Sequence, residues 1–483
     1  MENARIIGEG QVDREFLDKM LAGTLRPEDA QRFAALPAEV IAFTMLALQM
    51  RMGQTQQAGG ANQPSATIPP FQKENTAGSS PKKKRKRGGQ PGHKGTRRPK
   101  PKPDRTRPHR CDNCPDCGGK LRRTKEKRER LTEDIPENLK SVVTKEVIHR
   151  DYCPKCQKRV EPKLPDVLPG CELGNRVLVF SALLHYLQGL TISQIVDTFN
   201  YHLRMKVTPG GLVQMWHRLA DLLFAWYEEI HRDCLDSAKL HADETGWRVN
   251  GQTHWLWCFA GVDATFYMID RSRGSPALSK FFIEHFEGVL ITDFWSPYDA
   301  ISCADQQKCW PHLLRDLAEV DKKHSEDPEW KSFCRRLVSV YRKAKRLHAE
   351  RDQILEDDYD LKIVQLENRL ARLASESWDH ADARRLAKRL AKYGSQLLSF
   401  LWYDDVPMDN NAGERAIRPA VMIRKNSYAN GSEKGALTQS VLMTIFRTLR
   451  QRGLDPQKEI LTALEKSNQT DTLPPLPNQP SNG

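Results

Sequence analysis

Leu240-His241-Ala242-Asp243-Glu244-Thr245-Gly246-Trp247 joins a long helical region to a run of strand-like segments. Two acidic residues stand side by side at the end of an apolar approach, just before a glycine. Burying such a pair is costly unless something compensates its charge. A divalent cation does so, because hard cations prefer oxygen ligands. The stretch therefore raises one question of the rest of the chain: which other carboxylates meet Asp243 in space.

The residues downstream answer it through strand order. Residues 238–248 read as a first strand and 253–261 as a second, with Asn250-Gly251 as the hairpin turn between them. Residues 265–270 read as a third strand. A helix is expected from Ser275 as N-cap and Pro276 through Phe286, then a short apolar strand over 288–293 that ends in Asp293. Three antiparallel strands, a helix and a fourth strand is the order of an RNase H-like α/β core. In that order the first and fourth strands are neighbours, which brings Asp243 and Asp293 together. Alternation along the strand sends Glu244 to the opposite face, as an ordinary surface residue or one that supports the site from behind.

A third carboxylate comes late. Residues 312–403 are almost wholly helical and highly charged, with heptad-like apolar spacing over 361–373 and a basic helix over 384–392. They read as a helical insertion: a solvated hairpin, or one whose basic face holds DNA. Asp409-Asn410-Asn411-Ala412-Gly413-Glu414-Arg415-Ala416-Ile417-Arg418 then reads as a helix start capped by Asp409 or Asn410. Arg415 and Arg418 flank Glu414 on nearby faces, and the plain reading is a surface Glu–Arg group. Arg424, Lys425 and an Asn430-Gly431 turn follow, then a helix through Met443 and Leu449 that Gly453 ends. Carboxylates on a first strand, a fourth strand and a late helix suit two Mg²⁺ (or Mn²⁺) ions ~3.5–4 Å apart. Such a pair serves in-line displacement at phosphorus, and Arg415, Arg418 and Lys425 are placed to neutralise the phosphate.

The first part of the chain is organised differently. Residues 1–50 read as short helices, and 51–80 as a Gln/Gly/Ser/Pro-rich flexible linker. Residues 81–110 hold 14 Lys or Arg against one Asp, which equals the formal net charge of +13 for the whole chain. Lys82, Lys83, Lys84, Arg85, Lys86, Arg87, His93 and Lys94 lie among glycines and prolines, which prevent a helix. An extended basic arm of this kind follows a phosphate backbone with little sequence preference. A solvated tail and a nuclear-import signal over 82–87 are the competing readings. Cys114-Pro-Asp-Cys117 and Cys153-Pro-Lys-Cys156 are two Cys-x-x-Cys pairs around a strand-like stretch at 141–149. That layout suggests a zinc-ribbon-like module over 111–170 with structural Zn²⁺. Unrelated thiols are the alternative, and Cys111 competes with Cys114 as ligand. Residues 171–236 read as a helical DNA-binding region: two helices joined by a turn, with Thr208 as N-cap and Pro209 at the first helical position. A helix-turn-helix and an ordinary helical hairpin fit equally well.

Composition excludes some classes. No apolar run reaches the ~18 residues of a membrane helix. The longest, 177–190, carries His185 and Gln188 and reads as a buried helix. No signal-peptide pattern opens the chain, so a cytoplasmic, nucleoid-associated protein without a membrane partner is expected.

Taken together these segments resemble DDE transposases of the insertion-sequence-66 family, from about residue 80 to residue 465. The residues that carry the resemblance are Gly89-Gln-Pro-Gly-His-Lys-Gly95, both cysteine pairs, His241-Ala-Asp-Glu-Thr245, Thr292-Asp293, Cys309-Trp-Pro-His312 and the stretch 409–419. The resemblance implies a catalytic triad of Asp243, Asp293 and Glu414, and zinc ligation by Cys114, Cys117, Cys153 and Cys156. It implies a structural or phosphate-contacting role for His312. It implies double-stranded DNA as partner (element ends and target), a homodimer or higher oligomer on DNA, and helper proteins from the same element. The chain departs from the family pattern in having Phe294-Trp295 after the second Asp, where a small Gly-Tyr is usual, and Gly246 after Thr245. The core is then expected over 237–311 and 404–466, interrupted by the insertion at 312–403, and 467–483 is expected to be a disordered tail. The expected function is cleavage and transesterification of DNA. A non-catalytic zinc-dependent DNA-binding protein, a decayed transposase copy and a nuclease that cuts without joining are the alternatives.

Overall fold

A computed structural model of the chain describes residues 139–478 and, before them, 102–103, 106–108, 110–111, 113, 115–120, 122 and 131. The basic arm at 82–94, the N-terminal segment and linker, Cys114 and residues 479–483 lie outside the described residues.

The centre is a mixed five-stranded sheet of β3 (Lys239–Val249), β4 (Gln252–Ala260), β5 (Thr265–Asp270), β6 (Phe286–Thr292) and β7 (Cys303–Lys308), in the order β5-β4-β3-β6-β7. A separate small hairpin, β1 (Asp151–Cys153) with β2 (Lys158–Val160), precedes it. In the main sheet β3, β4 and β5 run antiparallel. The pairs β3–β6 and β6–β7 are parallel, so the first and fourth strands of this sheet are neighbours, as the strand order predicts. The β3–β4 turn places Asn250 and Gly251 at φ 47° and 73°, the left-handed pair that a two-residue hairpin needs.

Strand alternation distributes side chains to three cores. Leu240, Ala242, Trp257, Phe259 and Leu290 face a large cluster built with the N-terminal helices α1 (Asn175–Ala182), α2 (Ile192–Asp197), α3 (Pro209–Leu222) and α4 (Phe224–Leu235). Short α5 (Ser275–Phe281) adds Leu278 and Phe281 to it. Trp247, Val249, Leu256 and Cys258 meet Ile417, Ala420 and Met443 on α10 (Asn411–Ser427) and α11 (Glu433–Gln451). Val289 and Ile291, on the other face of β6, join the helical insertion α6 (Trp310–His324), α7 (Pro328–Ala349), α8 (Glu356–Ser375) and α9 (Ala381–Tyr393). The insertion buries Trp330, Phe333, Leu337, Leu366, Leu370 and Leu386 in its own core. At ~1.5–3 kcal/mol for each fully buried large side chain, it is a packed helical layer and not a solvated hairpin.

Several sequence expectations are met residue by residue. Thr208 Oγ1 accepts from Gly211 N at 3.1 Å, with Pro209 at the first position of α3. Gly453, at φ 75°, follows α11. Others are corrected. Gly274, not Ser275, takes the N-cap position of α5, and that helix ends at Phe281. Phe286 instead opens β6, paired with Cys303. The stretch 141–149 forms no strand and has no ladder partner among the described residues, and Val142 and Val143 are 91% and 92% exposed. Residues 467–470 belong to α12 (Pro456–Thr470), and the chain beyond docks in order through 478. Trp226 Nε1 donates to Pro474 O at 2.7 Å, Arg452 donates to Pro477 O at 3.0 Å, and Leu476 is buried. A Pro-rich segment has few donors of its own, so these side-chain donors from the body hold it in place. No helix among the described residues is long and apolar enough to cross a membrane.

Candidate active site

The β3–β6 register ends with His241 beside Ile291. Two residues further on, each strand reaches a carboxylate: Asp243 and Asp293. Asp243 sits within β3, opposite Cys258 of β4, and its Oδ1 accepts from Glu244 N at 2.9 Å. Its Oδ2 is buried with no hydrogen-bond partner. Asp293 lies just past β6, and its Oδ1 accepts from Trp295 N at 2.8 Å.

Glu414 arrives from the first turn of α10. That helix is fixed by Asn410, whose role differs from a simple cap. Its side chain makes no cap hydrogen bond and turns back to the sheet. Asn410 Nδ2 donates to Ala242 O at 2.8 Å, Oδ1 pairs with His241 Nδ1 at 2.9 Å, and its backbone N donates to Cys309 Sγ at 3.2 Å. Asp409 Oδ1 accepts from Asn411 N at 3.0 Å instead. A Cβ at Gly413 would come within 2.7 Å of Asn410 Oδ1, so only glycine leaves Asn410 this close. Cys309-Trp310-Pro311-His312 completes the joint. Cys309 N donates to Thr292 O at 3.0 Å, and Trp310 N donates to Met408 O at 3.0 Å. His312 Nε2 stands 3.8 Å from Glu414 Oε1.

The electrostatics are those of a cluster that shares charge. Burial, then Glu244, Asp293 and Glu414, raise the Asp243 carboxyl well above the usual carboxylate range. Burial lowers the His312 imidazole, while Asp293 and Glu414 oppose that shift. Desolvation and like charge act together on Asp243, the combination seen where a site awaits a cation or a proton.

Among the described residues no three His, Cys, Asp or Glu side chains stand close enough to hold a metal ion as placed. The donor chemistry nevertheless fits a hard divalent cation: Asp293 and Glu414 lie near enough to raise the Asp243 carboxyl, and its buried Oδ2 has no hydrogen-bond partner. At the small hairpin, Cys153 ends β1 and Cys156 lies in the turn before β2. Cys156 N donates to Cys153 Sγ at 3.4 Å, and this backbone hydrogen bond is the main cause holding the thiol below its ordinary range. Cys117 is exposed in the turn at 115–117, and Cys111 is also exposed.

Arg415, Arg418 and Lys425 are exposed along α10. On the basic helix α9, read as either a solvated hairpin or a DNA-holding face, three cations have carboxylate partners, while Lys388 is exposed without an ion pair among the described residues. Arg389 pairs with Asp316, Arg385 with Asp382 at 3.1 Å, and Lys392 with Asp299 at 2.7 Å. Lys343 and Arg346 on α7, with Lys362 and Arg369 on α8, are exposed, line one groove and have no carboxylate partner among the described residues.

Of the two readings open for Glu244, burial removes one, and a second group, Lys308, escaped the sequence reading. Glu244 is only 1% exposed, so it is not a surface residue. Its Oε2 accepts from Tyr298 OH at 2.6 Å and its Oε1 from Arg273 Nη2 at 3.2 Å. Lys308 is fully buried; it donates to Thr292 Oγ1 at 3.0 Å and pairs with Asp299 at 3.2 Å. It lies on β7, whose Gln306-Gln307-Lys308 run carries no apolar pattern to announce a strand.

A mixed sheet with one acidic residue within a strand and another just past the neighbouring parallel strand defines a class with many members, and comparison narrows it. A sequence model of the transposase IS66 family matches residues 170–438, more than half of the chain. The chain belongs to that family. Relatives from Sinorhizobium fredii are similar at lower identity. Uncharacterized protein y4qI is 24% identical over 317 residues, 58% of this chain and 57% of that protein. Uncharacterized protein y4jD is 24% identical over 296 residues, 55% of this chain and 57% of that protein. The chain thus spans little more than half the length of these relatives.

Proposed function

We propose that the protein is a DNA transposase that binds insertion-sequence ends, cleaves a strand and joins the freed 3′-hydroxyl to target DNA. The observation that carries this is that Asp293, past the end of β6, and Glu414, in the first turn of α10, both raise the carboxyl of Asp243 on β3, whose Oδ2 is buried with no hydrogen-bond partner. The sheet order and the parallel β3–β6 contact support an RNase H-like core over 237–311 and 404–466, with 312–403 as insertion. Asp243, Asp293 and Glu414 are the residues that would hold Mg²⁺ or Mn²⁺, two ions per site. When bound, such a pair activates the attacking oxygen and stabilises the leaving one at phosphorus.

The chain's own residues prepare the rest. Glu244 N and Trp295 N each donate to one carboxylate oxygen of the aspartates, which turns the other oxygen of Asp243 into the site. His312, beside Glu414, contacts that carboxylate or an incoming phosphate. Arg415, Arg418 and Lys425 meet DNA phosphates, as do Lys82–Arg87, His93 and Lys94 on the arm. Cys114, Cys117, Cys153 and Cys156 would hold a structural Zn²⁺, and the Cys156 N–H to Cys153 Sγ contact is the support for that placement. Double-stranded DNA, a second copy of the chain for the second end, and helper proteins of the same element are the partners.

Incubation with candidate element ends and Mg²⁺, followed by mapping of new 3′ ends, tests this function. Strand-transfer products are expected; tight, salt-sensitive binding with uncut DNA would identify a non-catalytic binding protein, and cut but unjoined ends a nuclease.

A further inference from the structure

Asp293 is the triad member held by a loop, and that loop is clamped from two sides. Trp295 N donates to Asp293 Oδ1 at 2.8 Å. The Trp295 ring lies against the Arg273 guanidinium, 4.0 Å from ring centre to Cζ. Trp255 of β4 covers the same guanidinium at 4.3 Å, so Arg273 is sandwiched between two indoles. Trp295 Nε1 returns a hydrogen bond to Arg273 O at 3.2 Å. Arg273 in turn reaches Glu244 Oε1 through Nε at 3.3 Å and Nη2 at 3.2 Å. Tyr298, fully buried three residues past Trp295, donates to the other Glu244 oxygen at 2.6 Å. On the far side of the loop, Phe294 packs on α9: its ring lies 5.0 Å from Arg389 Cζ and 5.5 Å from the Tyr393 ring.

Resting on the catalytic assignment above, we infer that Glu244, Arg273 and Trp295 are positioning residues for Asp293. Glu244 is rigid because it sits in the middle of β3, paired with Trp257. It anchors Arg273 by a charge-assisted fork, which cannot rotate between the two indoles. Arg273 fixes the Trp295 ring, and the Trp295 backbone N–H fixes one oxygen of Asp293. The dipeptide Phe294-Trp295 thus gives the loop two aromatic feet, one on the sheet and one on α9. Glu244 acts through its neighbours and touches no reacting atom.

Substitution of Arg273 separates this role from simple electrostatics. Removing a positive charge near three carboxylates should, by Coulomb attraction alone, tighten divalent-cation binding. Loss of positioning should weaken it, by about tenfold or more, as for other groups that orient a metal ligand. The experiment is a Mn²⁺ titration of the full chain by calorimetry, with wild type, Arg273→Gln, Trp295→Leu, Trp295→Tyr and Asp293→Asn. Weaker binding in Arg273→Gln and Trp295→Leu, with Trp295→Tyr within about threefold of wild type, is expected. Amide exchange without metal gives a second reading that does not depend on cation binding. Exchange at 293–298 should quicken in Arg273→Gln and Trp295→Leu, while β3 and β4 stay protected. Equal or tighter Mn²⁺ binding in Arg273→Gln, or unchanged exchange at 293–298, overturns the positioning role while leaving the carboxylate assignment intact. Wild-type Mn²⁺ binding in Asp293→Asn overturns both.

Discussion

At the scale of the residue, two adjacent acids on one strand lead different lives. Alternation along β3 was enough to separate Asp243 from Glu244, but not to show that both are buried. Burial lay beyond the sequence because the layers covering Glu244 come from Tyr298 and Arg273, at 54 and 29 positions' remove. The Glu244 carboxyl is raised to about 7, chiefly by burial and then by Asp293, against the pull of Tyr298 and Arg273. Between the ordinary glutamate range and about 7 the folded chain therefore keeps a proton that the unfolded chain has lost. Stability should fall as pH rises through that window, because the folded state binds more protons there. Thermal melts from pH 5 to 8 should show the decline in wild type and a shallower one in Glu244→Gln; parallel curves would contradict it. Lys308 offers a second case. Its ammonium is fully buried, while Asp299 is 21% exposed and keeps Lys392 and Tyr393, so Lys308→Ala should cost about 2 kcal/mol in chemical denaturation, the scale of a lost charged hydrogen bond. A loss under about 1 kcal/mol would place the pair in the range of exposed ones.

At the scale of the element, patterns were readable where physics is local. The Asn250-Gly251 turn, the Thr208 cap and the end of α11 at Gly453 follow from backbone conformations few residues tolerate. The missing elements were those whose stability is supplied from elsewhere. β7 is polar in sequence yet buried, because Phe400 N donates to Gln307 Oε1 at 2.7 Å and Ser399 Oγ to Gln306 O at 2.9 Å. Charge too depends on distant partners. Arg389 and Lys392 on α9 have carboxylate partners on other elements, whereas Lys343, Arg346, Lys362 and Arg369 on α7 and α8 have none among the described residues. Replacing Lys343, Arg346, Lys362 and Arg369 by Ala should flatten the salt dependence of DNA binding, by about 0.9 in log–log slope for each phosphate no longer neutralised. Anisotropy titrations between low and moderate salt measure that slope. An unchanged slope would mean that this groove faces solvent.

At the scale of the whole molecule, the site exists only because distant segments close on one another. Asn410 joins the start of α10 to β3 and to Cys309, so Glu414 is held relative to Asp243 by the same contacts that seat α6. The three candidate carboxylates can be picked out in the sequence; the joint between α10 and β3 cannot, because Asn410 resembles any helix cap until its side chain is seen turned to Ala242. Zinc removal should act on the other end of the chain alone. Chelation is expected to unfold the β1–β2 hairpin, read as amide exchange at 151–160, while leaving the five-stranded sheet protected. Simultaneous loss in both regions would mean that they form one cooperative unit.

The chemistry itself is tested most directly by Asp243→Asn with DNA carrying the element ends. Nearly isosteric, the change removes the charge of a carboxylate whose Oδ2 is buried without a hydrogen-bond partner. Strand cleavage in Mg²⁺ should fall by at least about a thousandfold, the scale on which losing a group that stabilises developing charge is felt. End binding should stay within about twofold, since the cations that meet phosphate lie elsewhere. Cleavage by Asp243→Asn at the wild-type rate would contradict the assignment of this site.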